Sequence, residues 1–167
     1  MDITDAVFAA MTDFFEGDVR RLQHLTKVHA FARFIGRAEG LDSHTQNVLE
    51  IAALVHDIGI KPAEEKYGSA SGSLQEKEGP AEARKLLAGL GLPQEDTERV
   101  CYLVGHHHTY AAMDGADYQI LVEADFLVNL YDDGESPAAV RAAYGRIFRT
   151  KSGRALCRKM FGLQDPA

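Results

Sequence analysis

Residues 52–60 read AALVHDIGI, an apolar helical run that closes on an adjacent imidazole and carboxylate, His56 and Asp57. Behind this run, Val48, Ile51, Ala52 and Val55 share one face of a helix that opens after Asp42 and Ser43, both good caps. Further back, Val19, Leu22, Leu25, Val28, Ala32 and Ile35 recur at three- and four-residue steps and stop at GRAEGLD, so a long helix should end near Gly40. Beyond the pair, residues 59–80, GIKPAEEKYGSASGSLQEKEGP, are rich in Gly, Ser, Pro and charge and are expected to form the longest irregular stretch. A third helix is expected from Pro80 through ARKLLAGLG, since proline favours a first helical turn. A fourth should span roughly 94–107, with Val100, Leu103, Val104 and His107 on one stripe. A fifth holds Leu121, Asp125 and Val128 on one face of ILVEADFLVNL, residues 120–130. From Pro137 to about Phe161 the pattern reads as one helix and a shorter one, broken near Ser152 and Gly153. No segment alternates as a strand would, and there is no repeat. The expected fold is all-α: a single domain over 1–167 of about six or seven helices, with its core at 18–131 and C-terminal helices at 137–161.

The bulk composition agrees with one globular core: 167 residues, 46% of them hydrophobic. A net charge of −7 argues against a general nucleic-acid binder, which would need a basic surface to neutralise phosphates. A local positive pocket for a small phosphorylated ligand remains compatible with it. Cys101 and Cys157 lack CxxC spacing and sit in apolar helical patterns, so neither a disulfide scaffold nor a thiolate metal cluster is expected. The N-terminus is acidic where a signal peptide would be basic, and no apolar run approaches the roughly 18 residues of a membrane span. A cytoplasmic protein without membrane contact is therefore expected. The apolar segment AVFAAMTDFF, residues 6–15, could serve a homodimer or pack on its own domain.

The chemistry centres on four side chains. Asp125 lies among Ile120, Leu121, Val122, Phe126, Leu127 and Val128 with no Lys or Arg in the run, and a carboxylate buried there needs a cation. His56 and Asp57 form a compact pair of ligands. His24, on the helical edge of Val28, Phe31 and Ile35, is placed to point inward, with His29 a rival. Two neutral imidazoles and two carboxylates supply four ligands and a charge of −2, which balances one divalent ion such as Mn, Fe, Co, Ni, Zn or Mg.

The ordered set RRLQHLTKV, AALVHDIGIK, QEKEGPAEARKLL, VGHHH and VEADFL in an all-α chain resembles the HD-domain superfamily of metal-dependent phosphohydrolases, over roughly residues 18–131. The closest likeness is to its small, stand-alone bacterial members. The resemblance implies metal ligands at His24, His56, Asp57 and Asp125. Two-metal members usually carry a further His where this chain has Glu78; Glu78 and His107 are the candidates for a second ion, which is thereby poorly supplied. Where some HD nucleotidases place an acid/base Glu, three positions beyond the Asp, this chain has Ile60; Glu64 and Glu65 follow and read as solvated loop acids.

A divalent ion so held can lower the pKa of a bound water from about 15.7 toward about 7 and polarise a phosphoryl oxygen. Asp57 and Lys61 are the candidate catalytic residues, and Arg21, Lys61, His106 and His107 the candidates for contact with substrate, with Arg20 also one turn before His24. The segment from Arg141 to Lys159 holds seven basic residues and no acid; it could ring a phosphate pocket through Thr150, Lys151 and Ser152, dock a second subunit or be a solvated helix. The expected activity is hydrolysis of a small phosphorylated compound, a nucleotide or related phosphoester. The alternatives are di-iron oxygenase chemistry and a nucleotide- or metal-binding sensor without turnover.

Overall fold

The computed structural model describes residues 2–164; residue 1 and residues 165–167 of the expected domain lie outside the described residues. These form nine α-helices and no strand: α1 (Ile3–Phe14), α2 (Val19–Ala38), α3 (Ser43–Val55), α4 (Ile60–Tyr67), α5 (Gly72–Ala88), α6 (Gln94–Val104), α7 (Ala116–Asp132), α8 (Pro137–Arg146) and α9 (Lys151–Phe161). The fold is all-α and a single domain, with more helices than the six or seven expected. No described helix is long and apolar enough to cross a membrane.

Local chemistry fixes the helix ends. The Asp18 carboxylate accepts from Arg21 N at the start of α2, and the Asp42 carboxylate accepts from His44 N and Thr45 N at the start of α3. Gly40 has φ +76°, a conformation that ends α2 cheaply because no Cβ is present. Helices α3 and α7 are buried almost all round, through Leu49, Ile51, Leu54 and Val55 on one and Ile120, Leu121, Leu127 and Val128 on the other. Helix α2 packs on both, and α6 covers α3 from a further side. Helix α1 turns Val7 and Met11 into the same core and lies on α3 and α5, so much of the apolar face of AVFAAMTDFF is spent within its own domain.

Three expectations need correction. The stretch 59–80 is not irregular: it contains α4 and the first half of α5. The signals were present, since Pro62 stands in the first turn of α4 and Gly68, at φ +65°, takes the left-handed cap that closes it. Likewise α5 begins at Gly72 rather than Pro80, and Pro80 sits inside the helix, costing one backbone bond that the surrounding packing absorbs. The C-terminal break falls at 147–150, where Thr150 caps α9; Ser152 and Gly153 lie inside that helix.

A buried acid that composition alone did not single out, Glu123, holds α9 in place. Its carboxylate is fully buried and accepts from Arg149 N (2.6 Å), Thr150 N (2.9 Å), Thr150 Oγ1 (2.5 Å) and Gln119 Nε2 (2.7 Å). The Glu39 carboxylate takes Ser152 N at 2.7 Å. The start of α9, considered above as a phosphate pocket, is thus already filled by two of the chain's own carboxylates, a favourable placement at a helix N-terminus. Gly153 is required beside it, because a Cβ there would stand 1.9 Å from Glu123 Oε2. Glu123→Ala strands several buried donors and should lower unfolding stability by about 2–4 kcal/mol in urea denaturation, with α9 losing amide-exchange protection first. An unchanged midpoint would contradict this role.

Candidate metal centre

Each side chain of the centre comes from a different piece of the core. His24 projects from the first half of α2, Asp125 from the middle of α7, and His56 and Asp57 from the turn that ends α3. His107 comes from the turn after α6. These are the helices whose mutual packing makes the core, so the site's geometry inherits the rigidity of the fold. The turn after Asp57 is pressed against α5: a Cβ on Gly59 would lie 2.4 Å from the Gln75 carbonyl oxygen and 2.8 Å from Gly79 N. Only glycine at 59 permits that approach.

The donor atoms converge. His24 Nε2 lies 3.2 Å from His56 Nε2, 3.2 Å from Asp57 Oδ2 and 3.1 Å from Asp125 Oδ1. His56 Nε2 lies 3.4 Å from Asp125 Oδ1 and 3.5 Å from Asp57 Oδ1. His107 Nε2 lies 3.3 Å from Asp57 Oδ1. Adjacent ligands of an ion with bonds of about 2.1 Å stand about 3 Å apart, so the spacings among His24, His56, Asp57 and Asp125 fit a common ion, while His107 adjoins them through Asp57. Two imidazoles are set in the matching tautomer. His56 Nδ1 donates to Ala53 O at 2.9 Å and His107 Nδ1 to Val104 O at 2.8 Å, which leaves each Nε2 lone pair facing the cluster. His107 Nε2 is buried with no hydrogen-bond partner, an orphaned acceptor that a cation would satisfy. Asn129 Nδ2 donates to Asp125 Oδ1 at 2.9 Å and orients that carboxylate. The four sequence-predicted ligands are therefore together, and His107 joins them.

The electrostatics agree. Burial pushes the Asp57 and Asp125 carboxyls upward, but the surrounding imidazoles outweigh it and hold both below the usual carboxylate range. Burial opposes charge on His24, yet its hydrogen bonds to Asp125 and Asp57 raise it to about 10. Without an ion, a proton on His24 does part of a cation's work.

The other candidates are placed as follows. Arg21 lines the cleft above the centre, its guanidinium paired with Asp18 and with Glu64 at 2.7 Å. Glu64 is thus a helical ion-pair partner rather than a free loop acid. Lys61 does not line the cleft; its ammonium donates to the Phe14 carbonyl at 3.1 Å and sits over the Phe14 ring. His106 is stacked on Tyr102, with Nδ1 2.7 Å from the Tyr102 carbonyl, and is also outside the cleft lining. Glu78 is engaged by Lys66 and Tyr67 and does not join the cluster. His29 pairs with Glu50 at 3.1 Å, away from the cluster. His108, which the VGHHH motif contains but which is not among the sequence candidates for substrate contact, lines the cleft and bonds Gln75 Oε1 at 2.9 Å; burial and the neighbouring His107 push it down to about 4, so it meets a ligand as a neutral ring.

His24 sets a pH dependence. Its folded pKa is raised above an unfolded value near 6.5, so its contribution is complete below that pH and is lost as pH rises through about 10. The melting temperature of metal-free protein should fall from pH 6.5 to 10, and metal binding at pH 8 should release about one proton, read by calorimetry in buffers of different ionisation enthalpy. A flat profile together with no proton release would contradict the assignment. Asn129→Leu, which removes the donor that orients Asp125, should weaken metal affinity roughly tenfold to a hundredfold by competition with a chelator.

The family model described as HD domain matches residues 21–140. No curated protein matches the chain. Among solved structures, the chain is similar to the crystal structure of a predicted HD superfamily hydrolase from an uncultured Thermotogales bacterium, at 23% identity and a TM-score of 0.66, over 93% of this chain and 83% of that one. With the histidine, the His-Asp pair and the later aspartate gathered on three packed helices and the family model spanning them, the chain belongs to the HD-domain family.

Proposed function

We propose that the protein is a metal-dependent phosphohydrolase that acts on a small phosphate ester with one divalent ion at the centre. The observation that carries this reading is the cluster itself: two triads of possible ligands, His24–His56–Asp125 and His56–Asp57–His107, that share His56, carry two negative charges, and are buried on one side and open on the other to a cleft of about 340 Å³. The ion would be held by Nε2 of His24 and His56 and by the carboxylates of Asp57 and Asp125, with His107 Nε2 beside Asp57 Oδ1 at 3.3 Å. A divalent ion bound there supplies Lewis-acid polarisation of a phosphoryl oxygen and a water acidified from about 15.7 toward about 7.

The chain's own groups do the remaining work. His24 and Asp57 also line the cleft, so a phosphate entering it meets the donor set directly. Arg21, fixed by Asp18 and Glu64 on α2 and α4, presents a guanidinium at the rim that can orient the phosphate and offset charge developing on its oxygens. Gln75 and His108 line the cleft as neutral hydrogen-bonding groups. His56, His107 and Asp125 are themselves buried, which shields the donor set from bulk water and keeps these interactions strong.

Phosphate release from a generic aryl phosphate, followed in turn with Mn, Fe, Co, Ni, Zn and Mg, tests the reading. Activity should need one of these ions, and Asp57→Ala should lose bound metal while its turnover drops to about one hundredth or less. Turnover retained by metal-free Asp57→Ala protein would overturn it.

A further inference from the structure

The cleft above the metal centre also constrains which phosphate ester can enter it. Outside the centre, Arg21 is tied to Asp18 and Glu64, and Lys27 Nζ is tied to Asp132 at 2.7 Å. Arg20 stands 3.9 Å from Asp133 and is 86% exposed. The mouth therefore sets three cations against four carboxylates, leaving one net negative charge. A single phosphate group can be met by the ion and Arg21. A second or third phosphate would bring further negative charge to a mouth with no surplus cation and be repelled by it.

The uncharged part of a substrate finds an equally specific surface. No Phe, Tyr or Trp ring lines the cleft, its apolar side chain is Ile60, and its two imidazoles are already engaged, His24 at the centre and His108 packed against His107 and hydrogen-bonded to Gln75. A nucleobase would therefore find no broad aromatic face of the kind on which base-binding sites rely. The wall contributed by α7 is instead rich in acceptors. Asn129 spends an N–H on Asp125 and keeps its carbonyl oxygen, while the carboxylates of Asp132 and Asp133 stand beside it. Acceptors of this kind are matched by O–H donors. The cleft volume, near the small end of ligand pockets, leaves room for one phosphate and a compact body.

We propose that the substrate is a monophosphate ester of a small, hydroxyl-rich compound of the sugar or polyol class, not a nucleotide. This rests on the hydrolase reading above and narrows it. The selectivity comes from the negative balance of the mouth and the acceptor wall of Asn129, Asp132 and Asp133.

Metal-loaded protein should be assayed for phosphate release from glycerol phosphate, ribose phosphate, glucose phosphate, nucleoside monophosphates, nucleoside triphosphates and p-nitrophenyl phosphate. In parallel, calorimetric titration with non-hydrolysable phosphonate analogues of ribose phosphate and of a nucleoside monophosphate reads binding without turnover. The expected result is a kcat/KM for the best hydroxylated monophosphate about tenfold or more above that for any nucleoside monophosphate, and about a hundredfold above that for triphosphates, with the same order of binding. Asp133→Asn, which removes a carboxylate from the mouth, should narrow the gap between mono- and triphosphates by about fivefold. Nucleotides turned over or bound as well as the sugar phosphates would overturn the proposal and leave the hydrolase reading standing. Release from no ester, p-nitrophenyl phosphate included, would overturn the hydrolase reading and the proposal with it.

Discussion

Asp57 and Asp125 place two carboxylates inside an apolar core, within hydrogen-bonding distance of imidazoles and of no lysine or arginine. Removing such charge from water is costly unless a cation or strong donors meet it. The molecule contains an instructive contrast on a single helix. Glu123 and Asp125 are two residues apart on α7, both buried, on different faces. Glu123 is satisfied by backbone N–H groups and a hydroxyl at the start of α9, an entirely structural solution. Asp125 meets imidazole nitrogens and one amide, and nearby His107 Nε2 faces Asp57 Oδ1 at 3.3 Å with no hydrogen bond made. The first arrangement is closed. The second has donors arranged around a common point and calls for an ion.

The arrangement holds because the ligands are carried by the core rather than by mobile connections. Helices α2, α3 and α7 pack on one another, and α6 positions the turn that carries His107. The close approach of Gly59 to Gly79 and the Gln75 carbonyl locks the turn after Asp57 against α5. Two Nδ1 atoms donate to carbonyls three residues back in their own turns, so each ring's orientation follows from its helix end. Core stability and site geometry are thus the same property, and the open face, lined by Arg21, His108 and Asn129, is where function can vary.

Much of this was legible in the sequence, for identifiable reasons. Helices α2 and α3 announce themselves by three- and four-residue apolar periodicity, and α3 also by its cap at Asp42. Asp125 was legible because an acid without a nearby cation in an apolar run is a physical anomaly. Glu123 sits in the same run, so the same argument applied to it, but sequence cannot tell whether the answer is an ion or a helix N-terminus 26 residues away. Helices α4 and α5 were hidden because Gly, Ser, Pro and charge mark loops on average, while Pro62 and Gly68 here mark a helix start and a helix cap. Lys61 shows the limit most clearly. Its spacing from Asp57 suits a phosphate contact, yet α4 turns it toward Phe14, and that direction depends on tertiary packing alone. Arg21 is the reverse case, an arginine that long-range pairing with Glu64 on α4 fixes at the rim.

The central claim is that the cluster at the end of α3 holds a divalent ion. Anomalous diffraction from crystals of the manganese-loaded protein tests it most directly. One dominant anomalous peak is expected within about 2.0–2.3 Å of His24 Nε2, His56 Nε2 and the carboxylates of Asp57 and Asp125. No peak there, or a dominant peak elsewhere such as at the surface group of His44, Glu95 and Asp96, would contradict it.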